Sequence, residues 1–128
     1  MSHTLPKITL LSANVRGFRT NVGELTHMMV KNKADLVIAT ETFLDESVPP
    51  NYARTKGYSR WYRRDRKTGQ GGGIAVCHHT SLQVQQLHLD IPDHYEMMFF
   101  KLITNSKDAI SSLPVRGHNG KVESPLIS

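Results

Sequence analysis

Apolar and polar residues follow one another along the chain in a pattern that predicts strands and one helix. The run KITLLSA, residues 7–13, is apolar and β-compatible, and DLVIATET, residues 35–42, has the same character. Between these runs, Val22, Leu25 and Met29 recur at helical spacing. The order strand, helix, strand predicts a right-handed crossover that joins two parallel strands.

The start of the helix is predicted from its polar residues. Asn21 and Glu24 have the spacing of a capping box, in which each side chain accepts a hydrogen bond from a free backbone amide. Lys31 and Lys33 suit the negative end of a helix. The predicted helix therefore lies in NVGELTHMMVKNK, residues 21–33.

The pattern changes after residue 42. A polar loop containing Pro49 and Pro50 precedes four β-rich runs, in YSRWYRRD, GIAVCHH, LQVQQLHL and HYEMMFFKLIT. The connections between these runs are too short for helices, so we expect antiparallel hairpins. The predicted fold class is α/β, with a mixed β-sheet and one main helix.

The chain of 128 residues is long enough for one domain. We assign that domain to residues 7–104, after a flexible N-terminus at residues 1–6. From residue 105 the sequence has no sustained period and is rich in Ser, Gly and Pro. Residues 105–128 are therefore predicted to form a disordered tail.

Cysteine content and hydropathy bear on the compartment. The single cysteine, Cys77, excludes an internal disulfide and lies in an apolar run typical of a buried thiol. The first residues, MSHTLPKITLLSA, lack the basic region of a secretion signal. No apolar run approaches the ~18 residues that a membrane span needs. We expect an intracellular protein with no membrane partner.

The net charge of +5 is concentrated in one segment. RWYRRDRK, residues 60–67, contains five of the 16 basic residues and only one of the 11 acidic residues. A basic segment with Trp61 and Tyr62 inside it could contact phosphates and stack bases. The same segment could instead be a solvated hairpin whose charges keep a sheet edge soluble, and the charge pattern leaves both readings open.

Asn14 and Glu41 are the candidate metal ligands. Asn14 follows the first predicted strand and Glu41 lies at the carboxyl end of the second, so both should emerge where α/β sheets place their sites, at the carboxyl ends of parallel strands. Amide and carboxylate oxygens suit Mg²⁺ with several retained waters, and such an ion can polarise a phosphate. The spacing leaves open that Asn14 caps a turn and that Glu41 pairs with a surface Lys or Arg.

Four segments carry a resemblance to a known family. LLSANVRG, ADLVIATETFL, KGYSRWYRRDR and GGGIAV occur in an order and spacing that resemble the endonuclease/exonuclease/phosphatase fold, in particular the apurinic-type endonuclease domain of non-LTR (LINE-like) retrotransposons. The resemblance covers about residues 7–104 and implies about half of a four-layer α/β sandwich. It also implies a Mg²⁺-dependent endonuclease associated with reverse transcriptase, with DNA as its partner and the nucleus as a compatible location.

The resemblance assigns roles to residues of this chain. Asn14 and Glu41 match the asparagine and glutamate of the family's active site, with Glu41 as a direct Mg²⁺ ligand and Asn14 orienting the site. Apart from the resemblance, the candidate nucleic-acid contacts are the basic residues Arg16, Arg60, Arg63, Arg64, Arg66 and Lys67.

The chain departs from the family in the second half of the domain. The family's Asp-x-Asn motif is absent, and Asp93-His94 lies too early to be the closing Asp-His pair. We therefore expect a fragment of such an endonuclease that binds Mg²⁺ weakly and is inactive alone. The alternative is a non-catalytic nucleic-acid-binding or interaction module that uses residues 60–67.

The absence of the second half of the family's domain should have a structural consequence. A two-sheet sandwich needs both inner faces to make one core. With one sheet absent, one face of the remaining sheet should be partly uncovered, and the chain should self-associate through it. The residues expected on that face are Leu36, Ile38, Ile74 and Val76.

Overall fold

The computed structural model describes residues 8–66, 71–92 and 95–103, together with the backbone of residues 110–116 and the Val115 side chain. The elements in chain order are β1 (Leu10–Asn14), α1 (Phe18–Lys31), β2 (Leu36–Thr40), β3 (Tyr62–Arg64), β4 (Ile74–His78), β5 (Gln83–Leu87), β6 (Met97–Ile103) and β7 (Ile110–Arg116). Among these residues, no helix has the length and apolar character needed to cross a membrane.

The strands form two sheets. The first has the order β1-β2-β4-β3, in which β1 and β2 are parallel and the other neighbours are antiparallel. The second has the order β5-β6-β7 and is antiparallel throughout. The α/β class, the parallel β1–α1–β2 unit and the mixed sheet are confirmed. The expectation of a single sheet is wrong, because β5 pairs with β6 and β6 pairs with β7, so that these three strands form a second sheet rather than extending the first.

Helix α1 begins earlier than the capping-box pattern predicts. Its N-cap is Gly17, and no side chain caps it. The amides of Gly17 and Phe18 donate instead to the carbonyls of Glu41 and Thr42, each at 2.9 Å. Asn21 therefore lies inside the first turn. The capping-box prediction is wrong because the backbone after β2, distant in sequence, supplies the acceptors for the first amides.

One face of the first sheet packs against α1. Phe18, Leu25 and Met29 are the buried residues of the helix, so the predicted apolar stripe through Leu25 and Met29 is confirmed. Trp61 joins this cluster, and its ring lies edge-on to Phe18 with 5.0 Å between centroids. Cys77 is also buried here, and burial raises the pKa of its thiol well above the usual range. The cysteine is a core residue with an unreactive thiol.

The other face of the first sheet is covered by the second sheet. The prediction that this face is partly uncovered is wrong, and self-association through it has no basis in the described residues. Met98 and Phe100 of β6 and Val115 of β7 pack against it. The four residues expected to be uncovered are 0% exposed: Leu36, Ile38, Ile74 and Val76.

Strand β7 lies in the segment predicted to be disordered. It pairs with β6 in an antiparallel register that runs from Ile103↔Ile110 to Met97↔Arg116. Its sequence, ISSLPVR, has a weak strand pattern, and its proline is tolerated because β7 lies at a sheet edge. The prediction is corrected for residues 110–116. The remainder of the predicted tail and the predicted flexible residues 1–6 lie outside the described residues.

Candidate active site

Asn14 and Glu41 lie at the same end of the first sheet. Asn14 is the register partner of Thr40, and Glu41 is the residue that follows Thr40. Both therefore stand at the carboxyl ends of adjacent parallel strands, where the β–α–β pattern places them. Asn14 is exposed, and the side chain of Glu41 is 39% exposed. Both polar side chains are accessible to a ligand from solvent.

The backbone at Glu41 is strained. Its φ is 51°, in the left-handed region, which costs an L-residue about 1–2 kcal/mol. The cost is offset by the hydrogen bonds that Glu41 and Thr42 carbonyls accept from the start of α1. Strain of this kind is found at functional sites more often than elsewhere in proteins. The start of α1 thus holds the backbone at Glu41, directly after β2, in this conformation.

The glycine-rich turn before β4 packs against the other side of residues 41–43. Thr42 is buried, and its hydroxyl occupies the space that a Cβ on Gly73 would need. The amide of Phe43 donates to the carbonyl of Gly72 at 2.9 Å. The turn is therefore a packing device that lets two backbones approach, and residues 41–43 are fixed between it and α1.

Arg16 is the ion-pair partner of Glu41 among the described residues. Its Nε lies 3.9 Å from Oε2 of Glu41, and its side chain is 81% exposed. An exposed pair of this kind contributes at most about 1 kcal/mol. The surface pairing that the sequence left open for Glu41 therefore occurs, but it is too weak to keep a divalent cation from the carboxylate.

The donor atoms of Asn14 and Glu41 fit a weakly held Mg²⁺. Both side chains offer oxygen, the ligand that Mg²⁺ prefers, and Mg²⁺ commonly keeps several waters and binds only one or two protein carboxylates. Neither here nor elsewhere in the described part of the chain do three His, Cys, Asp or Glu side chains cluster to hold a metal ion. Asn14 and Glu41 would therefore supply two ligands at most, and water the others.

The structure does not bring the predicted basic contacts onto one surface. Arg63 and Arg64 are consecutive residues of β3, so their side chains leave the strand on opposite faces. Arg60 is exposed, and its guanidinium lies 4.3 Å from the ring centroid of Tyr62. It lines a groove of about 530 Å³ with His78, at the end of the sheet opposite Glu41. Lys67 lies outside the described residues.

Arg63 is bound inside the protein. Its side chain is only 12% exposed and pairs with Asp65 through two hydrogen bonds, of 2.7 and 3.2 Å. Its remaining donors bond the carbonyls of Asp45, Val48 and Pro49 at 2.8 to 3.2 Å. Arg63 thus ties the loop after β2 to β3.

Arg64 and Arg66 are also engaged within the protein. Arg64 donates to backbone carbonyls in the segment before β6, including Tyr95 at 2.9 Å. Arg66 pairs with the largely buried Glu96, whose Oε1 also accepts a hydrogen bond from the amide of Gly73. Of the predicted nucleic-acid contacts, Arg16 is the one that the structure places beside Glu41.

We expect Arg63→Lys to destabilise the fold by about 2 kcal/mol, because a lysine cannot reproduce the five-donor fork and leaves charge-assisted bonds unmade. Arg60→Lys is the matched control, and its free energy of unfolding should stay within about 0.5 kcal/mol of the parent value. Urea denaturation followed by circular dichroism measures both. Equal stability of the two variants would mean that Arg63 does not hold the loop.

Phe43 lies beside Glu41 and Thr42, and the sequence pattern does not single it out. It follows Glu41 by two positions, and it is exposed although Thr42 and Leu44 on either side are buried. The signal in the sequence was an apolar residue in ETFL beyond the end of the predicted strand.

Comparison with known proteins adds no relative. A scan against protein-family models and a search of curated proteins each find no match for this chain. The resemblance to the endonuclease/exonuclease/phosphatase fold therefore rests on the four quoted segments.

Proposed function

We propose that this chain is a fragment of a retrotransposon-type, Mg²⁺-dependent DNA endonuclease of the endonuclease/exonuclease/phosphatase family, and that it does not hydrolyse DNA by itself. The observation that carries the proposal is the position of Asn14 and Glu41 at the carboxyl ends of the neighbouring strands β1 and β2. These are the two positions that match the family's active site. Their exposure and their oxygen donors support the same assignment.

The residues present account for part of the chemistry. A Mg²⁺ ion held by Glu41 and Asn14 would supply charge that stabilises a phosphodiester as its bond to the leaving oxygen breaks. The Glu41 carboxylate provides the negative charge that attracts the cation, and the Asn14 amide can accept from or donate to a neighbouring polar group. Arg16, with its exposed guanidinium, can pair with a phosphate oxygen of the bound strand.

The groups that would activate water are missing from this part of the site. The chain contains no Asp-x-Asn motif and no closing Asp-His pair in the family's position. A general base and a stabiliser of the developing charge are both needed for rapid hydrolysis. We therefore propose that the chain binds the metal ion and a DNA strand but does not catalyse hydrolysis of the DNA.

The alternative of a nucleic-acid-binding module built on residues 60–67 has less support. Arg63, Arg64 and Arg66 are occupied by bonds within the protein. Arg60 lies at the other end of the sheet from Arg16. A DNA strand bound by residues 60–67 would meet side chains that already have partners within the protein.

Metal titration tests the proposal. We expect Mg²⁺ to bind with a dissociation constant in the millimolar range or weaker, about 4 kcal/mol or less, because two protein ligands are few for an ion that sheds water reluctantly. Glu41→Gln should abolish the saturable chemical-shift changes in an NMR titration. Glu24→Gln, an exposed glutamate on α1, is the control and should leave them unchanged. Binding that Glu41→Gln does not weaken would rule out the assignment.

A further inference from the structure

Phe43 is an exposed aromatic residue beside the candidate metal ligands, and the core does not account for its position. Phe43 is 46% exposed, whereas Thr42 and Leu44 are 1% and 4% exposed. An aromatic ring left in water forgoes the stabilisation that burial of its area would give. A residue held in this state is available to a partner outside the chain.

The backbone holds this ring in place. Phe43 has a φ of 57°, a left-handed conformation that bulky residues rarely adopt. The ring lies against two glycines: a Cβ on Gly71 would stand 3.3 Å from Cε1, and a Cβ on Gly17 would stand 3.7 Å from Cδ2. Glycine at these two positions lets the ring lie close to the start of α1 and to the turn before β4. The ring is therefore fixed between two backbone segments while a large part of it faces solvent.

Two arginines near Phe43, each in a weak surface pair with a carboxylate, are exposed enough to contact an anionic partner that carries aromatic groups. Arg16 directly precedes Gly17, and its side chain is 81% exposed. Arg19, in the first turn of α1, has a side chain that is 52% exposed and lies 3.5 Å from Asp45. Exposed aromatic rings beside cations are the combination with which proteins bind single-stranded nucleic acid, since cations hold the phosphates and rings stack on the bases.

We propose that Phe43 stacks on an unpaired nucleobase of the strand that this site binds. The inference rests on the proposed function, because it takes the bound DNA strand to pass the end of the first sheet at which Glu41 lies. A base inside a duplex is stacked between its neighbours, so a side chain can stack on it only after the base leaves the helix. The substrate class is therefore single-stranded or locally opened DNA rather than fully paired duplex.

Binding of a fluorescent oligonucleotide to the whole chain, in buffer with a chelator, tests the proposal. The probe is a short single-stranded DNA carrying a fluorescent adenine analogue, compared with the same strand paired to its complement. We expect quenching of the analogue on binding of the single strand, and weaker binding of the duplex. Phe43→Trp should keep both affinity and quenching. Phe43→Leu should lose the quenching and bind about tenfold more weakly, the loss typical of one base stacked on one ring.

A second variant separates stacking from folding. Asparagine tolerates a left-handed backbone, so Phe43→Asn should lower the affinity as Phe43→Leu does while the melting temperature stays the same or rises. Val30→Ala removes exposed apolar surface at the far end of α1 and should change neither quantity. Parent-like affinity in both Phe43 variants, or a melting temperature that falls in step with affinity in both, would overturn the proposal.

The chelator makes this result independent of the metal titration. If Glu41 binds no Mg²⁺, the quenching can still be observed, and the proposed endonuclease function alone fails. If the quenching is absent while Mg²⁺ binds at Glu41, the stacking role of Phe43 alone fails.

Discussion

Supercoiled plasmid incubated with this chain and Mg²⁺ or Mn²⁺ is expected to remain uncut. Loss of a single general base or charge-stabilising group typically costs about 10²–10⁴-fold in rate. This chain lacks both the Asp-x-Asn motif and the closing Asp-His pair. The two losses together should leave no plasmid cleavage above background.

Gel electrophoresis over a long incubation measures the conversion of supercoiled plasmid to nicked circles. Glu41→Gln, prepared in the same way, gives the background of copurifying nucleases, and the parent should match it. Nicking by the parent that Glu41→Gln abolishes would show that the chain is an active enzyme and would contradict the proposal that its half site lacks turnover.

Phe100→Ala is expected to cost about 3–5 kcal/mol in the free energy of unfolding. Phe100 is 0% exposed and packs between the two sheets, with its ring 5.7 Å from that of Tyr62. Its removal leaves a cavity at the centre of the contact that covers the first sheet. Because domains are typically stable by only about 5–15 kcal/mol, the variant should lose a large share of its stability and unfold at a much lower urea concentration than the parent.

Phe99→Ala is the matched control, since Phe99 precedes Phe100 on β6 and is only partly buried. Urea denaturation should show a much smaller loss for this variant, and the parent should unfold in one cooperative transition when dilute. Similar losses for Phe99→Ala and Phe100→Ala would mean that the second sheet does not pack on the first as described.

The β1–α1–β2 unit could be predicted because its signals are local. Leu25 and Met29 recur at helical spacing between two apolar runs, and the order strand, helix, strand predicts a crossover between parallel strands. The placement of Asn14 and Glu41 follows directly, because parallel strands bring their carboxyl ends to one edge. The candidate site was therefore predictable from the same pattern as the fold around it.

Features that depend on distant partners could not be predicted in this way. The start of α1 is set by carbonyls of Glu41 and Thr42, which no pattern near residue 18 reveals. The second sheet gains its third strand from the pairing of β6 with β7, whose own sequence is a poor strand. The consecutive basic residues Arg63 and Arg64 appeared as one patch, yet a strand sends them to opposite faces, where different loops bind them.

Paramagnetic line broadening tests the metal site at Asn14 and Glu41 most directly. Mn²⁺ added in small amounts to the isotopically labelled chain broadens the NMR signals of nearby amides. The structure predicts that residues 14–17 and 41–43 broaden first, and that Glu41→Gln removes this effect. Broadening centred on another part of the chain, or unchanged in Glu41→Gln, would contradict the assignment of Asn14 and Glu41 as metal ligands.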